Sequence, residues 1–151
     1  MLKRDIHQWI SDYGVSHQNP INKKIHWICV PLIMFTLLGL LSLVKIYNVN
    51  LTYLIIAFAL LFYLRLSIPI SIGMFIISAA QLGFIFYIEM LFLDIHLIYI
   101  YLLTFIIAWV GQFIGHKIEG QKPSFFEDLQ FLLIGPAWLI SFIYKKIGIK
   151  Y

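Results

Sequence analysis

Apolar and polar positions along this chain fall into long blocks instead of alternating. Residues 27–44, 51–64, 68–88 and 97–115 are nearly unbroken apolar runs. A helix needs ~20 apolar residues to cross a hydrocarbon core of ~30 Å. Residues 27–44, 68–88 and 97–115 qualify. Residues 51–64 form a shorter run that ends at Arg65, whose long stem can reach the interface. The pattern predicts an all-α, polytopic membrane protein with about four transmembrane helices. Residues 1–14 read differently. Leu2, Ile6, Trp9, Ile10 and Tyr13 recur at helical spacing, with Lys3, Arg4, His7, Gln8 and Ser11 opposite and Gly14 as a stop. This predicts an N-terminal interfacial amphipathic helix, with an ordinary packed helix as the alternative. A fifth apolar stretch, 129–144, is short and broken by Gly135-Pro136. A Pro-broken helix there is a kinked span, a re-entrant element or an interfacial helix. With no repeat and no linker, residues 1–151 read as a single integral membrane domain.

Composition agrees. Apolar residues make up 62% of the chain and charged residues 12%, with a mean hydropathy of +0.91. A soluble domain is nearer ~45–50% and ~25%, and a chain of this size cannot hide the excess in one core. The first long apolar run begins near Trp27, after a polar segment, and so reads as a first span and not a cleaved leader. Cys29 is the lone cysteine, so no intrachain disulfide can form. The net charge of +4 sits at the ends of the apolar runs, as a basic rim beside lipid headgroups and not as a nucleic-acid stripe.

Charge placement orients the chain. With the N-terminus in the cytoplasm and four spans, Lys3, Arg4, Lys23, Lys24, Arg65, Lys117 and Lys122 fall inside. Lys45 falls outside with the acidic Glu89 and Asp94. If 129–144 does not cross, Lys145, Lys146 and Lys150 join the inside, giving ten basic residues against one. The expectation is a non-crossing fifth stretch, in a bacterial inner membrane or an endoplasmic reticulum membrane.

This topology gathers His17, His26 and His116 at the cytoplasmic face. It sends His96 to the opposite face and leaves His7 on the polar side of the first helix. Trp109, Gln112 and His116 share a helix face, and Glu119 follows three residues later. Gln112 lies one turn inside an apolar span, where a polar group needs a buried partner. Three neutral imidazoles can hold a divalent transition metal with positions left open for chemistry. Spacing alone favours ordinary interfacial histidines over a metal site, because neither H-x-x-x-H nor H-E-x-x-H occurs. Glu119 and Asp128 read as solvated loop charges. Phe35, Tyr63 and Phe84 read as packing or lipid contacts. Phosphate loops, nucleophile elbows and zinc-knuckle spacings do not occur.

Two motifs carry a resemblance. The first is Tyr13, then His17-Gln18-Asn19-Pro20, Asn22, His26 and Val30-Pro31-Leu32. The second is Trp109, Gln112-Phe113-Ile114-Gly115-His116, Glu119, Lys122-Pro123 and Gly135-Pro136. In both motifs and in their order, over nearly its whole length, the chain resembles the small membrane proteins typified by the fungal 2-hydroxy fatty acid dioxygenase. That enzyme acts in the breakdown of phytosphingosine to odd-chain fatty acids. The resemblance implies an Fe(II)-dependent dioxygenase with His17, His26 and His116 on the metal. Asn19, Asn22, Gln112, Glu119 and Lys122 would then support the imidazoles or the substrate. The segment from His116 to Glu119 is one residue shorter than in the fungal enzymes, while the spacing from Glu119 to Pro123 is kept.

The implied reaction balances. A 2-hydroxy acid and O2 give an acid one carbon shorter, CO2 and water, with all four electrons from the substrate. No flavin, nicotinamide or 2-oxoglutarate is needed. The expected partners are a long-chain 2-hydroxy fatty acid, O2 and membrane lipid, with Lys122 or Lys23 steering the carboxylate. Two rivals remain at this point. A non-catalytic membrane scaffold or lipid-binding protein needs none of the histidines, and a b-type cytochrome would use His26 and His116 as axial ligands.

Overall fold

The computed structural model describes residues 4–47, 49–92, 96–124 and 130–151. Leu2, Lys3, Asp94, Asp128 and Leu129, invoked above, lie outside the described residues. The described helices are α1 (Ile6–Val15), α2 (Pro20–Ser42), α3 (Leu51–Leu66), α4 (Ile68–Leu91), α5 (His96–Glu119) and α6 (Phe131–Ile147). A small antiparallel hairpin, β1 (Lys45–Ile46) with β2 (Val49–Asn50), joins α2 to α3. Local chemistry explains where the helices start. Asp5 and Gln8 form a capping box at α1. Asn19, Asn50 and Ser67 each accept a backbone N–H at the start of the next helix, and Pro20 and Pro69 sit in first turns that need no donor.

Helices α2, α4 and α5, of 23, 24 and 24 residues, are long and apolar enough to cross a membrane. Helix α3 has 16 residues and covers roughly 24 Å at 1.5 Å per residue. About four expected spans therefore resolve into three full-length helices and one shorter one.

The most extensive helix pair is α2 with α5. Gly111 and Gly115, four residues apart on α5, let the backbones approach. A Cβ on Gly111 would lie 2.6 Å from Cys29 Sγ, and one on Gly115 would collide with Asn22 Oδ1. On α2, Gly39 accepts the ring of Tyr101, 2.8 Å from an added Cβ. This close seam brings the start of α2 beside the end of α5.

Helix α1 packs its apolar face on protein. Ile6, Trp9, Ile10 and Tyr13 are buried in one cluster with Phe131, Ile134, Ala137 and Trp138 of α6. Helix α6 runs unbroken through Gly135-Pro136. The proline sits in the second turn, where it forfeits one bond, to the Leu132 carbonyl. Tyr63 Oη donates to the Leu133 carbonyl at 2.6 Å, and Tyr144 Oη donates to the Pro69 carbonyl at 2.7 Å. Tyr63 and Pro69 flank the turn between α3 and α4, so both ends of α6 are tied to one end of the bundle. The rings of His7 and Tyr151 are 5.3 Å apart at that same end. In a protein with Cys29 replaced by serine, single cysteines at Gln8 and Tyr151 are expected to react with an impermeant maleimide from the same side of the membrane. Labelling from opposite sides would refute this arrangement.

Candidate metal centre

His17 follows α1, His26 stands in the second turn of α2, and His116 stands in the last turn of α5. All three are buried, with His17 and His26 fully sealed from solvent. His17 and His26 reach back one turn. His17 Nδ1 donates to the Tyr13 carbonyl at 2.5 Å, and His26 Nδ1 donates to the Asn22 carbonyl at 3.0 Å. A carbonyl only accepts, so the proton of each neutral ring sits on Nδ1 and the lone pair on Nε2. This assignment rests on the bonding network. The two Nε2 atoms face each other at 2.9 Å. Two lone pairs at that distance repel unless a cation lies between them. His116 closes the third side, with its ring centroid 4.8 Å from that of His17 and 5.0 Å from that of His26, all near perpendicular. Its Nδ1 is buried without a hydrogen-bond partner. One nitrogen from each ring lies within 4.8 Å of the others. Three converging neutral imidazoles are a donor set for a divalent transition metal, and the orphaned nitrogen is accounted for by that role.

The same geometry argues against an axial haem pair. A porphyrin between His26 and His116 would need the space in which His17 Nε2 stands, 2.9 Å from His26 Nε2. His96 is exposed at the start of α5, twenty residues before His116 and so roughly 30 Å away along the helix. His7 lies on the exposed face of α1.

The supporting residues divide in a way the sequence did not reveal. Glu119 is no solvated loop charge. Its carboxylate accepts from the backbone N–H of Gln18 at 2.7 Å, from that of Asn19 at 2.9 Å and from Asn22 Nδ2 at 3.0 Å. It clamps the His17 loop to the end of α5 and also sits at the N-terminus of α2, where a negative charge is favoured. Asn19 caps α2 through Ile21 N at 2.8 Å and bonds no imidazole. Asn22 orients His26 with its carbonyl. A Schellman turn ends α5, with Gly120 at φ 73° and Gln121 N–H reaching the His116 carbonyl at 3.2 Å. His17 also stacks on Tyr13, with ring centroids 4.1 Å apart and planes at 14°, and lies 5.2 Å from the Trp138 ring.

Next to the triad opens a cavity of about 440 Å³, lined by Trp109, Gln112 and His116 of α5 and by faces of α2, α3, α4 and α6. This is within the range of small-molecule sites, ~300–1,000 Å³. Away from His116 its walls are largely apolar, among them Met34, Leu38, Ile55, Ile56 and Phe105. Lys122 is exposed and Lys23 half-exposed, and neither lines the cavity. Sequence reading singled out neither Ser124 nor Trp138, although they stand just after Pro123 and Pro136 of the second motif. The spacing of Gly111 and Gly115 was a readable signal for the α2–α5 seam.

Burial holds the His17 imidazole down at about 3, from an ordinary 6.5, with the neighbouring His26 as the second cause. The unfolded chain takes up this proton near 6.5 and the folded chain only near 3. Between those values the unfolded state binds more protons, so stability falls as the solution is acidified. Metal-free protein is expected to show a thermal midpoint that drops steadily from pH 6.5 towards 4, and His17→Asn should flatten the slope. A midpoint constant across that range would contradict the buried neutral assignment.

Comparison with known proteins adds an independent line. Residues 3–147 match the family model described as Mpo1-like, 2-hydroxy-palmitic acid dioxygenase Mpo1-like. Over 148 residues the chain is 30% identical to the 2-hydroxy-palmitic acid dioxygenase MPO1 of Saccharomyces cerevisiae (strain ATCC 204508 / S288c), covering 95% of this chain and 82% of that protein. No solved structure matches.

Proposed function

Since the chain belongs to the Mpo1-like family, we propose that it is an Fe(II)-dependent dioxygenase that shortens long-chain 2-hydroxy fatty acids by one carbon at the cytoplasmic face of its membrane. The observation that carries this reading is the pair of Nε2 lone pairs facing at 2.9 Å beside the orphaned His116 nitrogen. A lipid-binding scaffold has no use for such a convergence.

His17, His26 and His116 hold the metal. When bound, Fe(II) supplies the redox chemistry by which O2 reacts with an organic substrate, at positions three imidazoles leave open. The rest is work for the chain itself. The Tyr13 and Asn22 carbonyls fix the imidazole tautomers and orientation. Glu119 holds the His17 loop in register with α5. The apolar cavity takes the acyl chain directly from the surrounding lipid and keeps water from it. No external electron donor is required, because the hydroxy acid supplies all four electrons.

Fe(II)-loaded protein in detergent is expected to consume O2 with 2-hydroxyhexadecanoate and release pentadecanoate. Zinc should support no turnover, having no redox chemistry. Hexadecanoate should be inert, since it lacks the 2-hydroxyl carbon from which the reaction draws its electrons. Activity with zinc equal to that with iron would overturn the iron assignment.

A further inference from the structure

Six buried side-chain polar atoms lack a partner among the described residues, and three of them, His116 Nδ1, Gln112 Nε2 and Ser124 Oγ, belong to residues that line the one apolar cavity beside the triad. Buried polar groups are almost always paired, so an unpaired set on one cavity points to an absent ligand. His116 is accounted for by the metal. Gln112 and Ser124 are 5% exposed; the Gln112 amide also bonds the His26 imidazole, but its Nε2 and the Ser124 hydroxyl have no partner. Both offer donors: an amide N–H2 and a hydroxyl. Tyr63 Oη, also on the wall, is by contrast already engaged with the Leu133 carbonyl.

We infer that Gln112 Nε2 and Ser124 Oγ form a neutral clamp for the carboxylate of the bound lipid, which selects free acids over their esters and amides. This rests on the dioxygenase reading and adds to it the residues that recognise the head. The two donors come from different places. Gln112 stands one turn before His116 on α5. Ser124 is returned over the end of that helix by the turn at Gly120. Two unpartnered groups able to donate suit an acceptor-only ligand, and a carboxylate is acceptor-only when ionised. No lysine or arginine among the described residues lines the cavity, so a bound metal would meet the charge and the neutral donors would set the position. The chain then runs past Trp109 and Phe105 towards Leu38 and Ile55. An ester or amide offers fewer acceptor sites in the same space, and an amide adds donors that would face donors.

The test is equilibrium binding of radiolabelled 2-hydroxyhexadecanoate and of its methyl ester to metal-loaded protein in detergent, with metal content measured in parallel. The parent should bind the acid at least tenfold more tightly than the ester. Ser124→Ala and Gln112→Leu should each weaken acid binding about tenfold, leave ester binding within twofold and so collapse the discrimination. Ser124→Thr, which keeps the hydroxyl, should restore it. In turnover, Ser124→Ala should raise KM with little change in kcat. If Gln112→Leu loses metal, the Ser124 pair decides alone. Parent-like acid binding by Ser124→Ala would overturn the clamp while leaving the dioxygenase reading intact. A parent protein that holds metal yet binds no 2-hydroxy acid would overturn both.

Discussion

Replacing His17, His26 or His116 by alanine is expected to remove the metal and all measurable turnover, while His96→Ala keeps both. Each of the three would supply a ligand atom from a different part of the chain: the α1–α2 loop, the second turn of α2 and the last turn of α5. No other histidine, cysteine or carboxylate group among the described residues forms such a cluster, so a lost ligand has no substitute nearby. Two imidazoles bind a divalent metal far more weakly than three. Metal content of the purified variants by mass spectrometry checks the first part, and O2 uptake checks the second. His96→Ala is the control for general damage, since His96 is exposed at the far end of α5. Full metal content in His116→Ala would remove the α5 ligand from the account.

Glu119→Ala should have the next largest effect, although its carboxylate is not proposed as a metal ligand. The carboxylate accepts two backbone N–H groups and one side-chain amide across an interval of about a hundred residues. Hydrogen bonds to a charged group contribute ~1.5–3 kcal/mol each, and Gln18 is exposed, so the lower end of that range applies to it. Loss of groups that orient metal ligands typically costs 10–100-fold in metal affinity. The expected result is a fall of that size, with Glu119→Gln intermediate because it keeps one acceptor oxygen. Competition with a chelator of known affinity reads the change. Parent-like affinity in Glu119→Ala would mean that the His17 loop is held by other contacts.

What the sequence revealed and what it hid follow from the range of the interactions. Helix content is set by local apolar runs and by caps such as Asp5, Asn19 and Ser67, all of which are near neighbours in sequence. The histidine grouping followed from parity: an odd number of crossings separates His26 from His96, and one more returns the chain to His116. Parity cannot supply distances. The 2.9 Å approach of His17 to His26 depends on the turn at residues 16–19 and on Glu119, a contact that no periodicity encodes. The fate of α1 was equally hidden, because an apolar stripe fits lipid and protein alike. Only the matching stripe on α6, with Phe131 against Trp9 at 5.1 Å, decides between them. Pro136 suggested a break, yet the tertiary anchors at Tyr63 and Tyr144 hold the helix through it.

The most direct measurement follows carbon and oxygen together. Fe(II)-loaded protein is given 2-hydroxyhexadecanoate labelled with carbon-13 at the carboxyl, under O2 and without a reducing agent. One labelled CO2 and one unlabelled pentadecanoate should appear for each O2 consumed. A protein holding its full complement of iron that consumes no O2 with this or any other long-chain 2-hydroxy acid, or a product that retains the label, would contradict the proposed reaction.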